Sequence, residues 1–129
     1  MKVGFGYTGI RVKDLEASVK FYTSVLGMKE VDRFTQATTQ GKVVLLAMEG
    51  SGHQLELNYY PPGNRFDTKY EVGKGLDHLG FEVMDLDAVL AEAKKAGYPP
   101  HLEMRDAAHR WAYIQDPNGI WIEFFVPPS

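Results

Sequence analysis

Residues 7–15, YTGIRVKDL, recur later in the same chain as residues 78–86, HLGFEVMDL. Glycine, valine and an Asp-Leu pair hold the same places in both copies, at a constant offset of 85 − 14 = 71 residues. Each copy later ends in a glutamate between apolar residues, followed by a proline pair: Leu55-Glu56-Leu57 before Pro61-Pro62, and Ile122-Glu123-Phe124 before Pro127-Pro128. A repeat of this kind determines the architecture, because each copy must form the same supersecondary unit. It also matches Tyr7 with His78 and Glu56 with Glu123.

The first copy predicts a strand, a helix and three further strands. Polar and apolar residues alternate over residues 3–12, which is typical of a strand with one buried face. Asp14 is a good N-cap, and Gly27 ends the helix that follows it. The apolar residues of this helix are Leu15, Val19, Tyr22 and Leu26. Strands are predicted over residues 28–35, 42–49 and 54–60, with glycine-containing turns between them.

The second copy repeats this plan. A predicted strand over residues 76–84 precedes Asp85, which caps a helix that ends at Gly97. The apolar residues of this helix are Leu86, Val89, Leu90 and Ala93. Three further strands are predicted over residues 101–105, 110–115 and 120–126, and the last two are separated by the turn Asp116-Pro117-Asn118-Gly119.

We therefore predict a single α+β domain over residues 1–129, built from paired βαβββ modules at residues 1–60 and 76–129. Residues 61–75 form the loop between the modules, which is rich in glycine and proline and basic in places. A loop of this length inside a compact domain is usually functional or mobile.

Composition excludes several classes of protein. The hydrophobic fraction of 44% is that of an ordinary globular chain, and the net charge of −3 argues against a nucleic-acid partner. The chain has no cysteine, which rules out disulfides, thiolate metal sites and cysteine nucleophiles. No apolar run approaches the ~20 residues of a membrane span, and the first residues enter a strand pattern without the form of a signal peptide. We expect a cytoplasmic protein that binds no membrane.

Strand alternation places Glu56, His78 and Glu123 on the sheet faces that the helices do not cover. Carboxylate and imidazole groups suit Zn, Ni, Co, Mn or Fe, and three protein ligands leave open positions for substrate or water. Taken singly, each glutamate is more simply interpreted as a solvent-facing side chain, and the histidine as a surface residue or one whose hydrogen bonds are already satisfied. The equivalent places of the two glutamates, each between large apolar neighbours, favour the metal site.

The other histidines are weaker candidates for metal ligands. His53 has the wrong parity to join Glu56, His101 follows a proline pair and is expected to be exposed, and His109 is expected at the surface of a polar loop. A different function is also open, because a set of aromatic residues could stack on an aromatic ligand. These residues are Tyr60, Trp111, Tyr113, Trp121 and Phe125.

Several motifs identify a resemblance. Residues 12–18, VKDLEAS, lead to Phe21-Tyr22 and Leu26-Gly27, and the chain closes with residues 116–119, DPNG, and Ile122-Glu123. Together with the paired βαβββ units, they resemble the vicinal oxygen chelate superfamily. Its members include glyoxalase I, fosfomycin-resistance proteins, extradiol dioxygenases, methylmalonyl-coenzyme A epimerase and bleomycin-binding proteins. The chain is most similar to glyoxalase I.

The resemblance implies a metal-dependent lyase or isomerase that acts through a metal-bound enediolate. It places the ligands of a divalent metal (Zn, Ni, Co or Mn) at Glu56, His78 and Glu123, with Glu123 as the catalytic base. Tyr7 stands where glyoxalase I usually has His or Gln. It therefore ligates as phenolate, hydrogen-bonds to substrate or leaves its place to water.

We also predict a substrate-binding set and a homodimer. The dimer is expected because paired units leave sheet edges exposed, and because members of this superfamily of similar length commonly complete the site across a two-fold interface. The set consists of Arg11, Tyr60, Trp111 and Tyr113. Arg11 matches the arginine that glyoxalase I uses on glutathione, whereas Tyr60 stands where that enzyme has asparagine. The alternatives are an acyl-coenzyme A epimerase on the same site and a non-enzymatic binding protein for small, drug-like molecules. An extradiol dioxygenase is disfavoured because it needs two His and one carboxylate.

Overall fold

The computed structural model of the protein describes residues 2–106 and 108–127. Ala107, in the predicted polar loop, and Pro128, the last residue of the second proline pair, lie outside the described residues, as do both terminal residues. The chain divides into two compact units, residues 1–70 and 71–129, so that the boundary falls inside the predicted loop.

The first unit forms a strand, a helix and three strands in the predicted order. These elements are β1 (Tyr7–Arg11), α1 (Leu15–Lys20) continued by a π-helical turn (Phe21–Val25), β2 (Lys29–Thr35), β3 (Lys42–Ala47) and β4 (Gln54–Tyr59). The sheet order is β1-β4-β3-β2, with β1 parallel to β4 and the other pairs antiparallel.

The second unit has the same topology. Its elements are β5 (His78–Glu82), α2 (Leu86–Lys95), β6 (Leu102–Arg105), β7 (Arg110–Gln115) and β8 (Trp121–Phe125). The sheet order is β5-β8-β7-β6, again with one parallel pair, β5 with β8. The α+β class and the two βαβββ units are confirmed.

The same residue type begins the helix in each unit. The carboxylates of Asp14 and Asp85 accept hydrogen bonds from the backbone N–H groups of Ala17 and Ala88, each at 3.0 Å. Each contact satisfies a donor that has no partner within the helix. The N-caps predicted from the sequence are therefore confirmed.

The buried side of the first helix differs from the predicted one. Leu15 and Tyr22 are buried, but Val19 and Leu26 are only half-buried. Ser18 and Phe21 are almost fully buried instead. The helix changes to π-helical geometry at Phe21, so Leu26 no longer follows the 3.6-residue period that begins at Leu15. The Ser18 hydroxyl donates to the Asp14 carbonyl at 2.7 Å, which satisfies a polar group in the core.

The first strand is shorter than predicted because its partner strand determines its length. β1 begins at Tyr7, which pairs with Gln54, the first residue of β4. Residues 3–6 have no strand assignment. In the part of the chain that the structure describes, no helix is long and apolar enough to cross a membrane.

Candidate functional site

Tyr7 and Glu56 lie together on the polar face of the first sheet. β1 and β4 are parallel, with Gly9 directly opposite Glu56. A side-chain carbon on Gly9 would lie 3.8 Å from Oε1 of Glu56 and 3.9 Å from the Tyr7 ring. Both groups therefore lie above this glycine, at ordinary contact distance from the place of a side-chain carbon. Tyr7 is 55% exposed, whereas Glu56 is half-buried.

Arg11 lies on the same face, and the loop after β4 engages its guanidinium. Nη2 donates to Oδ1 of Asp67 at 3.0 Å, and Nη1 donates to the Thr68 hydroxyl at 3.1 Å. The rings of Tyr60 and Tyr70 have their centroids 5.9 and 5.6 Å from the guanidinium carbon. The structure thus brings two predicted substrate-binding residues, Arg11 and Tyr60, together.

In the second unit, the equivalent face joins a histidine to a glutamate. Nε2 of His78 lies 3.8 Å from Oε1 of Glu123. Gly80 is directly opposite Glu123 in the parallel pair of β5 and β8. A side-chain carbon on Gly80 would lie 3.6 Å from Oε1 of Glu123. Both units therefore place a glutamate over a strand glycine, and only the second adds an imidazole.

Asp77 orients the imidazole ring of His78. Its Oδ1 lies 2.7 Å from Nδ1 of His78. Because an ionised carboxylate only accepts hydrogen bonds, Nδ1 carries the hydrogen in this contact. In the neutral ring, Nε2 then keeps its lone pair on the side of Glu123. A carboxylate that fixes the tautomer of a histidine in this way is the usual companion of a metal-ligating imidazole.

An aromatic cluster lies beside this pair. Tyr113 is directly opposite Glu123 across β7 and β8, and its ring meets His78 edge-on at a centroid distance of 5.3 Å. The ring centroids of Trp111 and Trp121 lie 5.5 and 6.1 Å from that of Tyr113. Burial raises the pKa of the Tyr113 phenol, and the negative charge of Glu123 raises it further. Tyr113 therefore keeps its hydroxyl hydrogen at neutral pH and can donate it to Glu123.

The chemistry of these donors fits a divalent metal ion. His78 presents an oriented nitrogen, and Glu56 and Glu123 present carboxylates, which are ligands of borderline and hard cations. Within residues 2–106 and 108–127, no group of three or more His, Asp or Glu side chains lies close enough together to hold an ion. The three-residue ligand set therefore stays a prediction.

The remaining histidines have other contacts. Nε2 of His53 lies 2.7 Å from the hydroxyl of Thr8, on the face of β1 that is opposite to Tyr7 and Gly9. His101 is exposed and meets Trp121 edge-on at 5.5 Å. The His109 side chain is 67% exposed. The expectation that His101 and His109 are exposed is confirmed.

Sequence reasoning missed four residues around the site. In the second unit it missed Asp77, although the Asp77-His78 dipeptide was a local signal for an oriented imidazole. In the first unit it missed Asp67, Thr68 and Tyr70. Only the polar composition of the predicted loop pointed to these three, because they reach Arg11 from more than fifty positions away in the chain.

The repeated topology and the paired glutamates agree with a match between this chain and a protein-family model. Residues 4–124 match the model of the Glyoxalase/Bleomycin resistance protein/Dioxygenase superfamily. The chain belongs to this superfamily. The resemblance found in the sequence is thereby confirmed at the level of family and fold.

Individual relatives within the superfamily are similar over most of their length. A lactoylglutathione lyase of Neisseria meningitidis serogroup A is 31% identical over 127 residues, which cover 95% of this chain and 90% of that protein. The uncharacterized protein YwbC of Bacillus subtilis is 30% identical over 122 residues, covering 92% and 94%. The solved structure of the trypanothione-dependent glyoxalase I of Leishmania major superposes with a TM-score of 0.79 at 30% identity, covering 97% of this chain and 87% of that one.

Proposed function

We propose that this chain is a metal-dependent lyase or isomerase of the glyoxalase I type. One observation carries the proposal: Nε2 of His78 lies beside the carboxylate of Glu123, while Asp77 holds the opposite ring nitrogen. This arrangement prepares a histidine to ligate a metal, and a module that only shelters a ligand has no need of it. Similarity to lactoylglutathione lyase supports the same class of reaction.

The metal ligands in this proposal are Glu56, His78 and Glu123, and the ion is divalent (Zn, Ni, Co or Mn). When bound, it supplies a Lewis acid for vicinal oxygens of the substrate. Glu123 accepts a proton from one substrate carbon and returns it to the adjacent carbon, which isomerises the substrate without a net change in protons. Tyr113 donates a hydrogen bond to Glu123, which orients the carboxylate.

The proposed substrate is a small molecule, and its proposed binding residues are Arg11, Tyr60, Trp111 and Tyr113. Tyr7 is exposed beside Glu56 and donates a hydrogen bond to a substrate oxygen. Trp111 and Tyr113 offer aromatic surface for its apolar part. Arg11 and Tyr60 form a further contact region for the substrate within the first unit. We place this activity in the cytoplasm.

We also propose a homodimer. All residues of the edge strands β2 and β6 are exposed, and four of them are large and apolar. These residues are Val31, Phe34, Leu102 and Met104. Unpaired strand edges with apolar side chains favour association, and a two-fold pair is the commonest outcome. Light scattering at micromolar concentration tests this, and a monomeric mass contradicts it.

The second candidate function is a non-enzymatic binding protein. It is favoured by the aromatic cluster of Trp111, Tyr113 and Trp121, whose rings form a continuous edge-to-face series. Such a surface would stack on a flat, apolar ligand. An acyl-coenzyme A epimerase would instead use the same metal ligands on another substrate.

Elemental analysis of protein purified without added metal separates these functions. We expect the native chain to carry a divalent metal and the His78→Ala variant to lose it, because only two strong ligands remain. His109→Ala is the matched control, since its side chain lies in the same unit but is 67% exposed. Native protein that lacks metal, and does not gain activity when metal is added, would favour the binding protein.

A further inference from the structure

Arg11 is a cationic side chain on the polar face of the first unit, and its guanidinium donates hydrogen bonds to Asp67 and Thr68 of the same unit. A guanidinium at a binding surface is an efficient receptor for a carboxylate, because its planar donors match two oxygens. Here the carboxylate comes from Asp67, at 3.0 Å, and a second donor is taken by Thr68. The side chains of Arg11 and Asp67 are 25% and 35% exposed, so the pair is partly removed from water.

Asp67 is held in this position independently of Arg11. Its second oxygen, Oδ2, accepts from the backbone N–H of Gly63 at 3.3 Å, and its own N–H donates to the carbonyl of Asn64 at 2.8 Å. The side chain of Asn64 in turn donates to the carbonyl of Thr39 at 2.7 Å, which ties the loop to the β2–β3 turn. The loop therefore presents a pre-organised carboxylate to Arg11.

Aromatic rings complete the surroundings of the guanidinium. Tyr60 and Tyr70 flank it, and the ring of Phe66 lies 5.6 Å from that of Tyr60. The Tyr70 hydroxyl also donates to the backbone carbonyl of Arg11 at 2.9 Å. A ligand group that arrives here meets a neutralised cation and apolar rings, which favour an uncharged group over a second carboxylate.

We propose that Asp67 takes the place of a substrate carboxylate on Arg11, so that the substrate is uncharged where it meets this end of the first sheet. This inference rests on the proposed function, because it names the substrate class of that site. It makes Asp67 a specificity-determining residue. A carboxylate-bearing substrate must displace Asp67 before it reaches Arg11. Breaking the ion pair between Arg11 and Asp67 costs free energy, so this substrate binds less tightly.

The test compares two non-reacting probes by titration calorimetry: S-benzylglutathione, which has free carboxylates, and its diester, which has none. We expect the native chain to bind the diester at least as tightly as the free acid. Asp67→Asn keeps the size of the side chain and removes its charge. It should tighten binding of the free acid by about fivefold to tenfold, with little effect on the diester. The gain should fall as salt is added.

Two further variants serve as controls for this comparison. Glu49→Gln removes a negative charge from an exposed turn of the same unit and should change neither affinity. Arg11→Gln combined with Asp67→Asn should cancel the gain for the free acid. Thermal melting of each variant checks that it is folded.

Three outcomes overturn the proposal: the native chain prefers the free acid, Asp67→Asn leaves the ratio of the two affinities unchanged, or no variant binds either probe. Binding is measured without turnover, so the probe ratio is read separately from metal content. A native chain without metal that still shows the expected ratio contradicts the proposed lyase and leaves the role of Asp67 intact. A metal-bearing, active chain in which Asp67→Asn leaves the ratio of the two affinities unchanged supports the proposed lyase and overturns the role of Asp67.

Discussion

The two units share one scaffold but carry different chemistry on it. In both, a glutamate lies over a glycine of the first strand, Glu56 over Gly9 and Glu123 over Gly80. The neighbouring first-strand residue is an exposed tyrosine in one unit and a histidine with a carboxylate partner in the other. The repeat has thus kept the parts that shape the sheet and changed the side chains that meet a ligand.

Both units also share an ion pair between the helix and the edge strand of the sheet. Arg33 on β2 pairs with Glu16 in the first turn of α1. Arg105 on β6 pairs with Asp87 in the first turn of α2, at 2.7 Å. Glu30 and Glu103 supply a second carboxylate to these two arginines.

The divergent parts lie at the ends of the polar faces. The first unit adds a loop that neutralises Arg11, whereas the second adds the aromatic cluster beside His78. If the proposed function holds, the second unit supplies the base and most of the metal affinity. The first unit then discriminates against a charged substrate group through Asp67 and Arg11. Four predictions test this division, beginning with the largest expected effect.

Glu123→Gln and Glu56→Gln form a matched pair, because the two residues are equivalent in the repeat. We expect Glu123→Gln to lower turnover by about a hundredfold to ten-thousandfold while keeping much of its metal, since an amide oxygen still ligates but accepts no proton. Glu56→Gln should lower turnover far less. Steady-state kinetics with parallel metal analysis measures both. Equal losses would show that the units do not divide the chemistry in this way.

Asp116→Ala should destabilise the second unit more than any single change in the corresponding turn of the first. Asp116 is only 4% exposed, and its carboxylate accepts from the backbone N–H groups of Asn118 and Ile120 and from the Asn118 amide. Removing it deletes these three hydrogen bonds from a buried turn and should lower the free energy of unfolding by about 3 kcal/mol in urea titrations. Ser51→Ala, in the exposed β3–β4 turn, should change it by less than about 0.5 kcal/mol. Similar values for both variants would contradict the prediction.

Tyr7→His makes the first unit resemble the second. We expect metal affinity to rise by about tenfold, or ~1.4 kcal/mol, because a neutral imidazole is a better ligand than a phenol. Tyr7→Phe is the control and should leave affinity unchanged if the phenol does not ligate. Metal titrations with a competing chelator measure the change. A weaker affinity in Tyr7→Phe would instead assign a ligand role to the native tyrosine.

Asp14→Ala and Asp85→Ala should have equal and smaller effects. Each removes one 3.0 Å cap contact, which contributes about 1 kcal/mol to the free energy of unfolding. The corresponding Asp→Asn variants keep the hydrogen bond and should recover most of the loss. If only one of the two alanine variants lowers the free energy of unfolding, the two units are not equivalent even in their scaffolds.

Much of this fold can be predicted from short stretches of the sequence. The repeat, the Asp caps and the alternation that buries Leu55 and Leu57 beside Glu56 are all legible in short windows of sequence. They depend on the periodicity of side chains along a strand or helix and on hydrogen bonds between near neighbours. A single sequence is therefore enough to predict them. The family resemblance follows from the same windows.

The limits of sequence reasoning appear in the helix of the first unit and in the loop. A buried serine and a π-helical turn interrupt the predicted apolar period, because packing against the sheet and the bond from Ser18 to the Asp14 carbonyl outweigh that period. Asp67 is an ordinary loop acid in sequence. Its contact with Arg11 depends on how the chain returns to β1.

The sequence by itself determined the two units, their faces and the candidate donors Glu56, His78 and Glu123. Tertiary structure alone decided which groups meet within each unit. It set Tyr113 opposite Glu123 through the register of β7 and β8, and Asp67 against Arg11 through the course of the loop. The physical reason is that the side-chain period is local, whereas register and loop path are fixed by the packing of distant segments.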